Sequence, residues 1–154
     1  MIIELIKATA LLLSLSLLQS FVVRFTRNHQ LTKEVVSGAI FGGICVIGMI
    51  LPIVVTPGVI FDPRTVVLSM AGLFGGPVTS VIAATIAGGY RIFIGGGGVY
   101  VGVAVVIVST CLGLGYRYCV NKNWLKVNII HLLLFGFLVH VTEILLFTQL
   151  PADV

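Results

Sequence analysis

Apolar residues run along this chain in long blocks, separated by two short basic stretches and a few clusters of glycine and proline. The first block, 2–23, is long enough for one membrane-spanning helix, which needs about 20 residues. Glu4 and Lys7 stand three apart near its start, so they share a helix face on which they can pair or snorkel. Arg24, Arg27, His29 and Lys33 follow, with Glu34 as the acid among them. A second span, 35–55, carries Gly38 and Gly42 as a small-xxx-small packing face and is broken by Pro52 and Pro57. A further span is expected at 99–116, then a second basic stretch of Arg117, Lys122 and Lys126 without an acid, then a last span at 127–150.

The stretch 61–98 organises the rest. Arg64 and Arg91 bound an apolar run that Gly75, Gly76 and Pro77 interrupt. One straight helix of about 26 residues would be roughly 40 Å long and would put the arginines on opposite membrane faces. A hairpin bent at Gly-Gly-Pro would bring them to the same face. The basic stretches decide, because Lys- and Arg-rich loops stay on the cytoplasmic side. A single crossing puts the two basic stretches on opposite sides, whereas a hairpin puts both on the cytoplasmic side. The hairpin is therefore predicted, with Gly75, Gly76 and Pro77 inside, and the N-terminus, Arg64, Arg91 and the glycine run 95–98 outside. Its arms are unequal. The arm 62–75 reaches about 21 Å as helix, short of a hydrocarbon core of about 30 Å, and the arm 77–94 about 27 Å. If the outer end of the short arm is the submerged one, Arg64 is drawn into protein rather than water. Pro77 suits the first turn of the second arm, where a missing N–H costs nothing.

Composition fixes the class. The 154 residues are 58% hydrophobic and 9% charged, with a mean hydropathy of +1.19. A soluble domain carries roughly 25% charged residues, so this is an integral membrane protein in contact with the lipid bilayer. The expected fold is all-α: one polytopic transmembrane helical bundle over 1–154, with about six helical segments including the Gly-Gly-Pro hairpin. Eighteen glycines suit closely packed membrane helices. Cys45, Cys111 and Cys119 are odd in number and lack metal-ligand spacing, so they read as packing residues rather than a disulfide framework or zinc site. The net charge of +4 lies mostly in the two basic stretches and reports topology; it does not point to nucleic acid. No small-residue cleavage site followed by a polar mature region appears after the first block, so it is not read as a cleavable signal peptide.

Three motifs carry a resemblance: Gly58, Val59, Ile60, Phe61, Asp62, Pro63 and Arg64; then Leu73, Phe74, Gly75, Gly76 and Pro77; then Tyr90, Arg91, Ile92, Phe93, Ile94, Gly95 and Gly96. Together they resemble the membrane domain of the LytS/YhcK type of five-transmembrane receptor, over roughly 35–150. The branch they resemble most stands in front of diguanylate cyclases and hybrid sensor kinases of bacteria. The resemblance implies a sensory module of the bacterial cytoplasmic membrane, usually a homodimer, coupled to a C-terminal catalytic module. The 154 residues contain no GGDEF-type signature, phosphoacceptor helix or kinase nucleotide box, so no enzyme is expected in this chain. With the C-terminus outside, a cytoplasmic output would need one more span.

The candidate site follows from the charged groups in the apolar blocks. Arg64 and Arg91 are read either as snorkelling anchors, Arg64 pairing with Asp62, or as a guanidinium pair converging on a small anion. The resemblance favours the second, because both arginines lie within its motifs and some relatives sense small carboxylates. His140 and Glu143 share a face of the last span in the outer half of the membrane. There they either pack helices as a neutral hydrogen-bonded pair or join the arginines in a polar outer cavity. They are too few for a metal site, and no cofactor is expected. Gly95 and Gly96 read as an outer turn rather than a phosphate cradle, which would need a strand before it and a helix after it. His131 is placed near the cytoplasmic interface, and Thr79, Ser80, Ser109 and Thr110 are read as helix-packing hydroxyls. The leading function is a sensor that binds a small carboxylate or phosphate from the extracytoplasmic side. The alternative is a substrate-binding subunit similar to the S-components of vitamin importers, and a third reading is a structural or holin-like protein.

Overall fold

A computed structural model describes residues 30–50, 53–56, 59–61, 64–96, 98–125 and 128–147, together with Ser20. The first span, 2–23, and its Glu4 and Lys7 lie outside the described residues, as do Arg24, Arg27, His29, Asp62 and Gly97. Among the described residues five helices follow one another: α1 (Gln30–Ile50), α2 (Arg64–Met70) running on into a π-helical turn (Ala71–Gly75), α3 (Pro77–Ile94), α4 (Val99–Asn121) and α5 (Ile129–Phe147). Gln30–Ile50, Pro77–Ile94 and Val99–Asn121 are long and apolar enough to cross a membrane, and Arg64–Gly75 and Ile129–Glu143 are shorter apolar segments. The fold is the expected helical membrane bundle.

Between α1 and α2 the chain forms a small antiparallel ribbon, β1 (Ile53–Thr56) with β2 (Val59–Phe61), in which Ile53 pairs with Phe61 and Val54 with Ile60. The predicted second span ran on to 55, but the helix stops at Ile50. Two local reasons account for this. Pro52 disfavours helical geometry at the residue before it, and Ile-Val-Val-Thr is a β-branched run that fits a strand. Helix α4 in turn passes the expected end at 116 to reach Asn121, taking in Arg117.

Contacts along the helices give their directions. Thr79 donates its hydroxyl to the Glu34 carbonyl (3.0 Å), while Gly38 and Gly42 lie against Ile82 and Ile86 in the same order, so α1 and α3 are parallel. Arg64 meets Met49 near the end of α1, whereas Phe74 and Gly75 share a cavity with Gln30, Lys33, Glu34 and Ser37 near its start. Thus α2 runs back down and α3 up again. The hairpin is present, and Gly76 makes the reversal at φ +89°, a conformation that L side chains rarely adopt, with Pro77 opening α3. Arg91 packs on Gly102 and Gly88 on Val106, so α4 descends beside α3. The Tyr116 ring lies tilted against Phe135 in the first half of α5 and Thr65 bonds Glu143 in its second half, so α5 ascends.

The result places Lys33, Arg117 and Lys122 at one end of the bundle, and Arg64, the turn after α3 and Glu143 at the other. Here "inner" denotes the basic end, which the positive-inside rule assigns to the cytoplasm. The core lies where α1, α2, α3 and α4 meet, around Phe41, Ile44, Cys45, Val67, Leu68, Ala71, Ala83, Ala87 and Val106. Helix α2 and its π turn approach α4 almost backbone to backbone: a Cβ on Gly72 would stand 2.8 Å from the carbonyl carbon of Gly113. Of the three cysteines, Cys45 is a core residue, while Cys111 is exposed and Cys119 half-buried on α4; none is in a disulfide. Apolar side chains line the outside of α5, including Ile129, Leu133 and Phe137, as lipid contact requires. Trp124, edge-on to Tyr118 with Lys122 over the Tyr118 ring, forms an aromatic anchor at the inner end.

This arrangement has a sidedness test. In a cysteine-free background, a cysteine at Gly97 is expected to react with an impermeant thiol reagent added to intact cells. One replacing the exposed Lys122 is expected to react only after permeabilisation. The reverse pattern at either position would invert or remove the hairpin.

Candidate ligand site at the outer end

Arg64 is the first residue of α2, and the shortness of that arm determines its environment. Twelve residues, seven in α-helix and five in the π turn, span under 20 Å or so of a core of about 30 Å. The end of the arm that carries Arg64 is the buried one. The Arg64 side chain is only 7% exposed, and its Nη1 contacts the Met49 sulfur at 3.5 Å. A snorkelling arginine keeps its head in water, so that description does not suit Arg64. A buried guanidinium also calls for negative charge or acceptors nearby. The next residue begins to supply them: the buried Thr65 donates its hydroxyl to Glu143 Oε2 at 3.2 Å, bringing a carboxylate of α5 to the first turn of α2.

Arg91 behaves differently. It is half-buried at the end of α3, lies over Gly98 and Gly102 of α4, and donates from Nη1 to the Gly95 carbonyl at 3.0 Å. A basic side chain that satisfies a carbonyl just past a helix C-terminus is a helix cap. Gly102 allows this seat, since a Cβ there would overlap the arginine stem. Gly95 and Gly96 have φ of +73° and +90°, the left-handed region that favours glycine, and they form the predicted outer turn. The two arginines thus stand at the same end of the bundle but on different supports.

The outer half of α5 also divides. His140 and Glu143 share a face as their spacing requires, yet His140 Nδ1 bonds the Gly136 carbonyl of its own helix (3.0 Å), while Glu143 reaches across to α2. At the inner end, His131 lies half-buried on the first turn of α5. Thr79 and Thr110 serve as packing hydroxyls, bonding the carbonyls of Glu34 and Val106, and Ser80 bonds that of Gly76. Among the described residues no group of three or more His, Cys, Asp or Glu could hold a metal ion.

Sequence reading assigned Arg117 a topological charge alone. In the structure its Nη1 donates to the carbonyls of Leu73 (3.0 Å) and Phe74 (3.2 Å), tying α4 to the end of the short arm. These carbonyls belong to the π turn, which ends at Gly75 and leaves acceptors without intrahelical donors. A basic residue one turn beyond Gly113 on α4 is the available signal, but which arm it serves emerges only in three dimensions.

The short buried arm with an arginine at its outer end, the Gly-Gly-Pro reversal and the glycine turn after Arg91 are the geometry of the three sequence motifs. The family model described as 5TMR of 5TMR-LYT matches residues 17–153. The chain belongs to this family. The 5TMR-LYT domain is a membrane sensory domain of signalling proteins, so this chain is a multi-pass membrane sensory domain. No curated protein and no solved structure matches the chain.

Proposed function

We propose that this 5TMR-LYT domain is the ligand-binding input of a receptor in the bacterial cytoplasmic membrane, recognising a small carboxylate or phosphate at its outer end. The observation that carries the reading is the burial of Arg64, a planar donor matched to such anions, inside an apolar bundle. Arg64 is the primary contact in this scheme. Arg91 flanks the site and contributes by holding the glycine turn, with the Thr65–Glu143 pair closing the side formed by α5.

A ligand signals only through different affinities for two packings. The short arm is a suitable moving part. Its outer end holds Arg64, its middle packs against α4 at Gly72 and Gly113, and its inner end is a π turn latched by Arg117. Single π turns are frequent at functional sites because they are easily rearranged relative to a regular helix. An anion drawn to Arg64 would shift the arm along α4 and alter the inner latch, from which a diguanylate cyclase or histidine kinase output takes its signal. The test is a thermal-shift screen of small carboxylates and phosphates on the detergent-solubilised protein. At least one compound is expected to raise the transition in a saturable way; a screen in which none does so removes the anion from the proposal.

A further inference from the structure

At the opposite end of the bundle a second polar feature is independent of the outer ligand. A cavity of about 220 Å³ opens between the first turns of α1, the end of the π turn, the start of α3 and the last turns of α4. That is several times the roughly 30 Å³ share of one water molecule in the liquid. Its lining is mostly polar: Gln30, Lys33, Glu34, Ser37, Thr79 and Arg117, with Phe74 and Gly75 completing the wall. Helix packing alone does not call for such a lining, because a purely structural junction in a membrane bundle is closed by small or apolar side chains.

The charged groups around the cavity are not consumed by one another. Lys33, Glu34 and Arg117 are half-buried, and no ion pair joins them among the described residues; the Glu34 carboxylate accepts a long bond from Gln30 at 3.4 Å. Ser37, 2% exposed, makes no hydrogen bond among the described residues and faces the cavity as part of its wall. Two cations and one carboxylate leave a net positive site, and the N-terminus of α3 beside it adds a further preference for negative charge. The cavity lies at the same end of the bundle as Lys122 and Trp124, the basic end with its aromatic anchor.

We infer that this cavity binds a phosphate group through the Lys33 ammonium and the Arg117 guanidinium, with Ser37 donating a hydrogen bond. The chemistry is shared by the headgroup of an anionic phospholipid of the inner leaflet and by free phosphate. Occupation would brace the Arg117 latch and so fix the inner end of the short arm.

The experiment compares thermal stability of the purified chain in two arms. In one, the protein in nanodiscs of phosphatidylcholine is compared with nanodiscs containing phosphatidylglycerol; in the other, inorganic phosphate is titrated into the detergent-solubilised protein. Arg117 is left intact because it also caps carbonyls. Lys33→Gln is expected to weaken the stabilising interaction by about tenfold or more, as loss of a charged hydrogen bond does. Glu34→Gln, which removes the opposing charge, is expected to strengthen it. Lys122→Gln, an equal change of charge outside the cavity, is expected to leave it unchanged. Dependence on Lys33 in either arm supports the site and identifies the source of the phosphate. No stabilisation in either arm, or stabilisation that Lys33→Gln leaves intact or Lys122→Gln reduces equally, overturns it.

Discussion

Alanine at position 64 is expected to weaken binding of the small-anion ligand by roughly 2–5 kcal/mol, or about 30- to several-thousand-fold. The size follows from burial. A charge-assisted hydrogen bond is roughly twice as strong as a neutral one, and truncating one partner of a desolvated pair leaves the other uncompensated. Arg64 is 7% exposed, so water does not take over its role. Arg91→Ala is expected to have the smaller effect, because Arg91 is half-buried and its guanidinium already serves the Gly95 carbonyl. Titrating a compound found by thermal shift against both variants gives the two affinities. Equal losses would mean that the arginines hold the ligand jointly, and a larger loss at Arg91 would move the site to the α3–α4 turn.

The second large effect is structural. Leucine at Gly113 is expected to destabilise the protein by about 1–3 kcal/mol or more, the usual scale of overpacking where side-chain shifts do not relieve it. The obstacle is backbone: a Cβ on Gly113 would overlap the carbonyl oxygen of Ser69 and stand 2.9 Å from its carbon. Helix α2 would have to leave α4, carrying Arg64 and the π turn with it. Gly115→Leu is the control, since nothing lies within 4 Å of a Cβ there. Thermal unfolding in detergent should show a lowered transition for Gly113→Leu and a near-normal one for Gly115→Leu. Similar transitions for the two variants would show that the α2–α4 approach is not a fixed contact.

Much of the fold was legible from charge and from glycine and proline. The two basic stretches require an even number of crossings between them, and Gly76 with Pro77 supplies the one place where the extra reversal is sterically easy. The ribbon after α1 was missed because Ile53, Val54, Val55 and Thr56 are as apolar as a helix end, and hydropathy alone does not separate the two. Local spacing put His140 and Glu143 on one face but did not reveal that Glu143 meets Thr65, seventy-eight positions away. The same limit applies to Arg117, whose acceptors lie on another arm, and to Gly72 with Gly113, whose contact depends on how α2 crosses α4. Arg64 and Arg91 looked equivalent because each bounds the same apolar run. Their difference comes from arm length, which submerges one and leaves the other at a helix end.

The central claim is that the buried guanidinium of Arg64 recognises an anion, and the lysine variant tests it most directly. Lysine keeps the charge but replaces the planar fork with a point charge on a flexible stem. The measurement is the thermal-shift titration of a stabilising carboxylate or phosphate on the native protein, Arg64→Lys and Arg91→Lys. The account predicts that stabilisation is largely lost in Arg64→Lys and largely kept in Arg91→Lys, where a cation capping a helix end suffices. Stabilisation that survives Arg64→Lys undiminished would place the ligand elsewhere and leave Arg64 a structural cation.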